Sequence, residues 1–468
     1  MASISSEHAS RSRIFFRAPW RNFAGAAEWL RVPFAGGSDS SLARRLAGTA
    51  FLIRVVSALI AFVSQIVLAR WLGGFEFGIY VYVWTWVLLL GGMVDLGLGS
   101  ASQRFIPEYI EHERFALLRG YLRGSAWLAA GIATAIAAAA ALAVKALSPH
   151  IAPGTVVPLY LGCVALPICG VAQVQSGIAR SYDWVNLGLS PVYVLRQILM
   201  LVLLGLAFAF GMPMNAVMAM FTAAAAWWGV TIGQSVVLNR RLKKTVEPGP
   251  KAYAVRSWLS TSTPIFVVEA FYLLLSYADV IVLQAFRPPN EVGIYYAAAK
   301  TMALVAFIYF SVAQTLAHKF AEYHVAGDRK RLADILAVGV RMTFWPSLGS
   351  IVVLLVLGRP MLRMFGHDFV SGYYLMFILA IGLLARASVG PAERLLNMLG
   401  ERRGCALVYG GSFAINIALC LLLIPRSGIE GAAIANAITL VCESVSLFLI
   451  AKFRLGLHCF IFGGQQGR

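Results

Sequence analysis

Long apolar stretches dominate the chain, and each is bounded by Gly, Pro or charged residues. A helix needs about 20 consecutive apolar residues to cross the hydrocarbon core of a membrane. Twelve stretches meet this requirement: residues 46–69, 78–100, 121–147, 156–178, 191–211, 215–238, 259–284, 291–317, 333–358, 373–396, 405–424 and 429–451. The pattern predicts an all-α integral membrane protein with twelve transmembrane helices.

Basic residues are concentrated in every second connection between these stretches, as expected if those connections are cytoplasmic. If the N-terminus is cytoplasmic, the connections on the opposite side contain few basic residues: Arg70, Arg287, Arg359, Arg363 and Arg426. Lys145 lies on the same side, at the end of a span. One missing or extra span would invert the pattern for everything after it. The charges therefore predict twelve spans with both termini cytoplasmic.

A repeat relates the two halves of the chain. The stretch Glu76–Tyr80 opens the second span, and Glu291–Tyr295 opens the eighth, 215 positions later. Because six spans is an even number, the two copies have the same orientation and an axis along the membrane normal relates them. We expect two like-oriented six-helix lobes around a central cleft. The predicted segments are a basic cytosolic tail (1–45), an N-terminal lobe (46–240), a basic inter-lobe loop (241–258), a C-terminal lobe (259–455) and a short cytosolic C-terminus (456–468).

Composition agrees with a membrane protein. Hydrophobic residues make up 59% of the chain and charged residues 13%, compared with about 25% charged in soluble proteins. The net charge of +18 is distributed over loops and the tail rather than one basic stripe, which disfavours nucleic acid as a partner. We expect the Arg-rich tail to lie near anionic lipid headgroups, although organelle transit peptides share its composition. The six cysteines show no CxxC spacing, so we expect no metal and no cofactor.

Ionisable residues inside the spans are the candidate functional residues, because each costs about 2.5–3.5 kcal/mol to insert. Those residues are Arg54, Asp95, Glu269, Asp279, Lys300, Arg386 and Glu443. We assign Arg54, Lys300 and Arg386 to binding of an anionic headgroup, since buried phosphate requires charge-assisted donors. The carboxylates of Glu269, Asp279 and Asp95 are candidates for coupling or gating, whereas Glu443 is the weakest candidate. The alternatives are an internal partner such as Asp279 for the two later cations and helix capping for Asp95.

The repeat offset aligns Arg54 with Glu269. Both belong to polar stripes at helical spacing, so we expect both stripes to face protein or water rather than lipid. The hypothesis is that this pair faces across the cleft and breaks and reforms as access alternates. A static pair that holds two helices together is the alternative.

Several motifs resemble one family. They are Glu76–Tyr80, Asp95–Gly99 followed by Arg104-Phe105, Tyr277–Leu283, Glu291–Ala298, Phe365-Gly366 with Phe369 and Gly372-Tyr373, and Pro425 with Gly428-Ile429 and Gly431–Ala435. In order and spacing they are similar to the polysaccharide-exporter branch, which includes Wzx-type O-antigen flippases, of the MATE-like MOP flippase superfamily. The resemblance extends from about Leu46 to Leu455.

The resemblance implies a flippase, not an enzyme, that moves undecaprenyl-diphosphate-linked oligosaccharide across the bacterial inner membrane by alternating access. Such a protein serves O-antigen or exopolysaccharide biosynthesis. Its expected partners are the lipid-linked oligosaccharide, membrane lipids, and a polysaccharide polymerase and chain-length regulator. The glycan and the coupling ion (proton, sodium or neither) stay open.

Three other functions compete with this interpretation. A cation-coupled multidrug exporter of the same superfamily would require a mainly acidic cleft. A polyprenyl-glycan ligase or polymerase would require a long periplasmic loop, and the predicted periplasmic turns are short. A structural scaffold would not require buried charge.

Overall fold

The computed structural model describes residues 39–461, and the residues from Ala50 onward belong to one compact unit. No strand occurs within the described range. In chain order the helices are α1 (Asp39–Gly91), α2 (Leu98–Glu111), α3 (Phe115–Leu147), α4 (Pro153–Ser181), α5 (Val185–Ala209), α6 (Ala216–Thr245), α7 (Val255–Phe286), α8 (Pro289–Val325), α9 (Arg329–Val356), α10 (Gly358–Phe365), α11 (Tyr373–Val389), α12 (Ala392–Met398) and α13 (Arg402–Leu455). Most of the predicted basic tail, residues 1–38, and the last seven residues lie outside the described residues.

Ten helices in the described part of the chain are long and apolar enough to cross a membrane. Large apolar side chains cover their outer surfaces; Leu59 on α1, Trp127 on α3 and Leu407 on α13 are 58%, 70% and 74% exposed. So much exposed apolar surface is unfavourable in water but not in lipid, where a helix also satisfies its own backbone hydrogen bonds. The chain is therefore a multi-pass, all-α membrane protein.

Two of these helices are too long for one crossing. Helices α1 and α13 contain 53 and 54 residues, a length of about 80 Å, whereas the hydrocarbon core is about 30 Å thick. Each is interrupted by a glycine with non-helical dihedral angles, Gly73 (φ 76°) in α1 and Gly428 (φ 56°) in α13. Both glycines lie between two predicted spans. The total of twelve crossings stays a prediction.

Two predicted spans are interrupted within the membrane segment. The prediction of a continuous helix over 78–100 is wrong, because the chain turns at residues 92–97, where Leu96 and Gly97 adopt positive φ. Similarly, the span predicted over 373–396 is divided at Gly390 (φ 59°) between α11 and α12. Apolar composition continues through both turns, so hydropathy alone did not reveal them.

The repeated motif lies where the two halves meet. Gly78 packs so closely against Pro289 that an added Cβ would overlap the Pro289 carbonyl. The same relation recurs 215 positions later: Gly293 packs on Gly74, with an added Cβ 3.2 Å from the Gly74 oxygen. Replacing each residue by its equivalent in the other half converts one contact into the other, as a two-fold axis between like-oriented halves requires. We name the side of the molecule that carries these contacts and Arg70 the Arg70 face.

Within each half, several helices pack around one central helix. Helix α4 lies against α2, α3 and α6, and α13 lies against α7 and α11. Helices α2 and α7 join the halves. Near the Arg70 face, Phe77 contacts Tyr296 and Phe369 of the second half, with ring centroids 6.3 and 5.7 Å away. The lobe boundaries at 240 and 259 stay a prediction.

Candidate functional site

A polar pocket of about 240 Å³ lies between the two halves, and we call it the inter-half pocket. Its walls come from α2 and the turn before it, from α4 and α5 in the first half, and from α7 in the second. Its polar side chains are those of Asp95, Ser100, Gln173, Ser176, Arg180, Tyr193, Glu269 and Tyr272. Since these elements belong to membrane-crossing segments, the pocket is a polar site inside an otherwise apolar region.

Asp95 shapes one wall of this pocket. Its buried carboxylate accepts hydrogen bonds from the backbone N–H groups of Gly97 and Gly99, at 3.2 and 2.9 Å. A carboxylate at this position satisfies N–H groups that the first turn of α2 leaves unpaired. Asp95 therefore holds the helix break in place, in line with the capping alternative. Its coupling role stays a prediction.

Glu269 connects the halves across the pocket. The Ser100 hydroxyl of α2 donates a 2.7 Å hydrogen bond to its carboxylate. The guanidinium of Arg54 lies 4.9 Å from the ring centroid of Tyr193 on α5. Among residues 39–461, Arg54 is in no ion pair. The hypothesised Arg54–Glu269 pair is thus not formed in this arrangement, and its exchange during transport stays a hypothesis.

A second group of charges lies in the C-terminal half, and we call it the C-half cluster. Arg386 of α11 contacts Glu443 at 3.2 Å and Glu393 at 3.5 Å. The Tyr309 hydroxyl donates a 3.0 Å hydrogen bond to Glu393, and its ring lies 5.0 Å from the Arg386 guanidinium carbon. Glu443 is 1% exposed. One cation with two carboxylates is a poor site for another anion, because the charge of Arg386 is already compensated.

Asp279 and Lys300 have different surroundings. The buried carboxylate of Asp279 accepts hydrogen bonds from the Tyr295 hydroxyl, the Asn436 amide (3.2 Å) and the Val280 N–H (2.8 Å). The Lys300 ammonium lies 4.9 Å from the Tyr296 ring centroid and is in no ion pair within the described range. Asp279 thus ties α7 to α8 and α13, and Lys300 lies within electrostatic reach of Asp279 without forming an ion pair with it.

Sequence reasoning did not assign three charged residues near these sites. Arg180 lies in the last turn of α4 at the pocket, between the predicted spans 156–178 and 191–211. Arg196 is buried between Trp84 and Trp227, with ring centroids 5.2 and 4.5 Å from its guanidinium carbon. Arg196 lies inside the predicted span 191–211, and Glu393 inside 373–396. Both were therefore detectable as charges within apolar segments.

The arrangement suits a non-covalent binding role. Arg54, Arg180 and Lys300 lack ion-pair partners among the residues that the structure describes. An anionic ligand would supply that partner through charge-assisted hydrogen bonds. No cluster of three or more His, Cys, Asp or Glu residues with the geometry of a metal site occurs in residues 39–461.

Sequence comparison matches residues 46–321 to the family described as "Polysaccharide biosynthesis protein". A relative is the "Probable low-salt glycan biosynthesis flippase Agl15" of Haloferax volcanii, 23% identical over 244 residues. The matched region is 50% of this chain and 51% of that protein. The chain thus spans about half the length of this curated relative.

Structural comparison shows the fold. An inward-facing multidrug resistance MATE transporter of the MOP superfamily superimposes with a TM-score of 0.71 at 14% identity, covering 87% of this chain and 98% of that one. The lipid II flippase MurJ in an inward closed conformation gives 0.67 at 14% identity, covering 86% and 87%. A MOP superfamily transporter from Pyrococcus furiosus, described as having a binding pocket of reversed polarity, gives 0.64 at 13% identity, covering 88% and 96%. The chain has the fold of these proteins.

Proposed function

The chain belongs to the polysaccharide biosynthesis protein family, and we propose that it is a flippase for undecaprenyl-diphosphate-linked oligosaccharide. It would act in the bacterial inner membrane with both termini cytoplasmic, and a polysaccharide polymerase and a chain-length regulator would use its product. The activity is transport by alternating access of the two halves, and it needs no bond-making step.

The inter-half pocket carries the proposal. A diphosphate cannot cross about 30 Å of hydrocarbon unaided, because desolvating its charges is too costly. The pocket between the halves would offer the headgroup Arg180, the Gln173 amide and hydroxyl groups, beside the carboxylates of Asp95 and Glu269, while the polyprenyl chain stays in lipid. Transporters with repeated halves place their substrate sites at the interface between repeats. The position of the pocket therefore fits a headgroup site.

The cations that are in no ion pair within residues 39–461 are the proposed ligands of the diphosphate, and of these Arg180 lines the inter-half pocket. Arg54, Arg180 and Lys300 are available without breaking an ion pair. Arg386 would reach the headgroup only after leaving Glu393 and Glu443. We therefore assign Arg386 a conditional role, in a later state of the transport cycle.

We propose that carboxylates couple transport to the membrane potential or to binding of a cation. The candidates are the carboxylates that contact both halves or hold the helix break. Glu269 accepts from Ser100 of the first half, so its protonation or cation binding would alter a contact between the halves. Asp95 and Asp279 are fully engaged in hydrogen bonds, and each would act by releasing the element that it holds. The membrane potential supplies about 2.3 kcal/mol per charge per 100 mV for such coupling.

The two relatives named as flippases support the substrate class. One is described as a glycan biosynthesis flippase and the other as a lipid II flippase. Both names refer to lipid-linked or glycan substrates, and the family name refers to polysaccharide.

Deleting the gene from its native organism tests the proposal. We expect loss of a surface polysaccharide and accumulation of its undecaprenyl-diphosphate-linked repeat unit in the inner leaflet, both reversed by the wild-type chain. Persistence of every surface polysaccharide would contradict the proposal. Polysaccharide loss with the lipid-linked unit on the outer leaflet would instead indicate a ligase or polymerase.

A cation-coupled multidrug exporter is the second candidate, and the C-half cluster favours it. That cluster combines Glu393 and Glu443 with one cation, a balance suited to binding a cation. Increased sensitivity of the deletion strain to cationic drugs, with polysaccharide intact, would support this function.

A further inference from the structure

A second polar cavity, of about 730 Å³, lies at the Arg70 face, away from the inter-half pocket. Three arginines from both halves line it: Arg70 at the end of the first segment of α1, and Arg359 and Arg363 on α10. Hydroxyl groups of Ser371, Tyr373 and Tyr374 complete the polar lining. We call this the arginine cavity.

The short helix α10 presents two of these arginines together. Leu362 and Phe365 are fully buried, which anchors one side of the helix. Arg359 and Arg363 are exposed and four positions apart, so they lie on the same side one turn from each other. The Arg359 guanidinium carbon lies 5.1 Å from the centroid of the Tyr373 ring, and the hydroxyl of that tyrosine donates to the Leu355 carbonyl. The guanidinium is thus held in place by a fixed aromatic ring.

Arg70 is fixed to the same helix from the other half. Its Nε donates a 2.7 Å hydrogen bond to the Met364 carbonyl, and its Nη2 donates a 3.2 Å bond to the Arg363 carbonyl. These carbonyls belong to the last turn of α10, where carbonyl groups lack helical partners and carry negative dipole charge. Three guanidinium groups are therefore brought to one cavity by contacts that do not neutralise them.

No carboxylate lines the arginine cavity. Within residues 39–461, none of the three arginines is in an ion pair. Glu430 and, more weakly, Glu291 interact with the Tyr374 hydroxyl, and neither carboxylate is part of the lining. These arginines are also three of the few basic residues that the charge pattern predicts on the non-cytoplasmic side. Like charges gathered without a counter-ion favour an anionic ligand.

Apolar surface adjoins the cavity. Val356, Leu357 and Met364 are 72%, 47% and 48% exposed at the end of α9 and on α10, where they would contact lipid chains. An anion site next to lipid-facing surface at a helix end suits a lipid phosphate, since basic pockets at membrane interfaces bind lipid headgroups. Guanidinium groups suit phosphate in particular, because their planar fork binds two oxygens at once.

We propose that the arginine cavity binds the phosphate group of a membrane lipid in the leaflet at the Arg70 face. The site is separate from the inter-half pocket and does not depend on the flippase function. Free phosphate or diphosphate would form the same hydrogen bonds with the arginines. A lipid differs from these free ions because its acyl chains also contribute to binding.

Native mass spectrometry of the full-length chain in detergent tests the site. The probes are phosphatidylglycerol, phosphatidylcholine and inorganic pyrophosphate. The variants are Arg359→Gln/Arg363→Gln, the single substitution Arg363→Gln, and Arg329→Gln/Lys330→Gln in the first turn of α9 as a matched control. We expect retained phosphatidylglycerol to fall at least tenfold in the double variant, to fall less in the single variant, and to stay unchanged in the control.

The outcomes separate the possibilities. Equal retention of phosphatidylglycerol by the wild type and both cavity variants would overturn the site. Pyrophosphate bound through these arginines, with phosphatidylglycerol retained no better than phosphatidylcholine, would overturn the lipid as the source. If the double variant does not fold, the single variant still decides, because it leaves Arg70 and Arg359 in place.

Discussion

The membrane-embedded cations differ in how their charge is balanced. Arg386 contacts two carboxylates, whereas Arg54 and Lys300 lie over aromatic rings and are in no ion pair within residues 39–461. A buried ion pair that loses one partner leaves an uncompensated charge, at a cost of about 3–5 kcal/mol. A cation on an aromatic ring loses less when removed, roughly 0.5–2 kcal/mol. The ion pairs of Arg386 therefore indicate a contribution to the stability of the fold. The aromatic contacts of Arg54 and Lys300 leave those charges available to a ligand.

Replacing Arg386 by Met should therefore destabilise the protein strongly. The change strands Glu393 and the fully buried Glu443 without their cation. We expect a loss of about 3 kcal/mol or more, measured as a lower unfolding temperature of the purified chain in detergent.

Adding Glu443→Gln to Arg386→Met should recover part of that stability, because one stranded charge is removed. Arg394→Met is the matched control, since this half-buried arginine has only a 3.4 Å hydrogen bond to Gln314. Unfolding temperatures equal for Arg386→Met and Arg394→Met would argue against the C-half cluster as a structural unit.

Replacing Arg54 by Gln should reduce transport and leave the stability of the protein almost unchanged. The fold loses the contact with Tyr193 and no ion pair within residues 39–461, so the unfolding temperature should hardly change. Transport should fall about tenfold or more, because one charge-assisted hydrogen bond is worth roughly 1.5–3 kcal/mol and 1.4 kcal/mol is a factor of ten. The readout is complementation of surface polysaccharide in the deletion strain. Arg54→Lys should retain part of the activity, and full activity of Arg54→Gln would remove this residue from the headgroup site.

At the scale of the helix, the apolar runs predicted which segments are helical, because Gly, Pro and charge end each run. Breaks between runs, as at Gly73 and Gly428, follow from the same signal. The turns at 92–97 and at Gly390 interrupt apolar sequence, where tertiary contacts decide the backbone. At the first turn, the Asp95 carboxylate supplies the hydrogen bonds that the break requires.

The contact of Gly78 with Pro289 makes a prediction about the junction of α1 and α8. Gly78→Ala would place a methyl group on the Pro289 carbonyl, so the two halves must separate at the Arg70 face. We expect a lower unfolding temperature. Gly131→Ala in α3 is the control: nothing lies within 4 Å of its added Cβ, so higher helix propensity should leave stability equal or raised by up to about 1 kcal/mol. Equal stability of the two variants would contradict the close packing of the repeat motifs.

At the scale of the molecule, the repeat predicted the architecture better than it predicted the site. Gly74, Gly78, Pro289 and Gly293 meet as two-fold symmetry requires, and the backbone at Gly78 leaves no room for a side chain. Side chains are less constrained by the repeat. Arg54 and Glu269 occupy equivalent positions in the repeat, yet Arg54 contacts Tyr193 and Glu269 contacts Ser100. Which side chains contact one another across helices depends on backbone turns and side-chain rotamers. The repeat offset predicts neither of these.

Translocation by the purified chain is the most direct measurement. The full-length protein is reconstituted in liposomes that carry an undecaprenyl-diphosphate-linked oligosaccharide, and the fraction of glycan protected from an added glycosidase is followed over time. We predict that the wild-type chain moves the glycan between leaflets, and that Arg54→Gln does so about tenfold more slowly. Equal rates for wild-type liposomes and protein-free liposomes, with the protein folded and inserted, would contradict the assignment as a flippase.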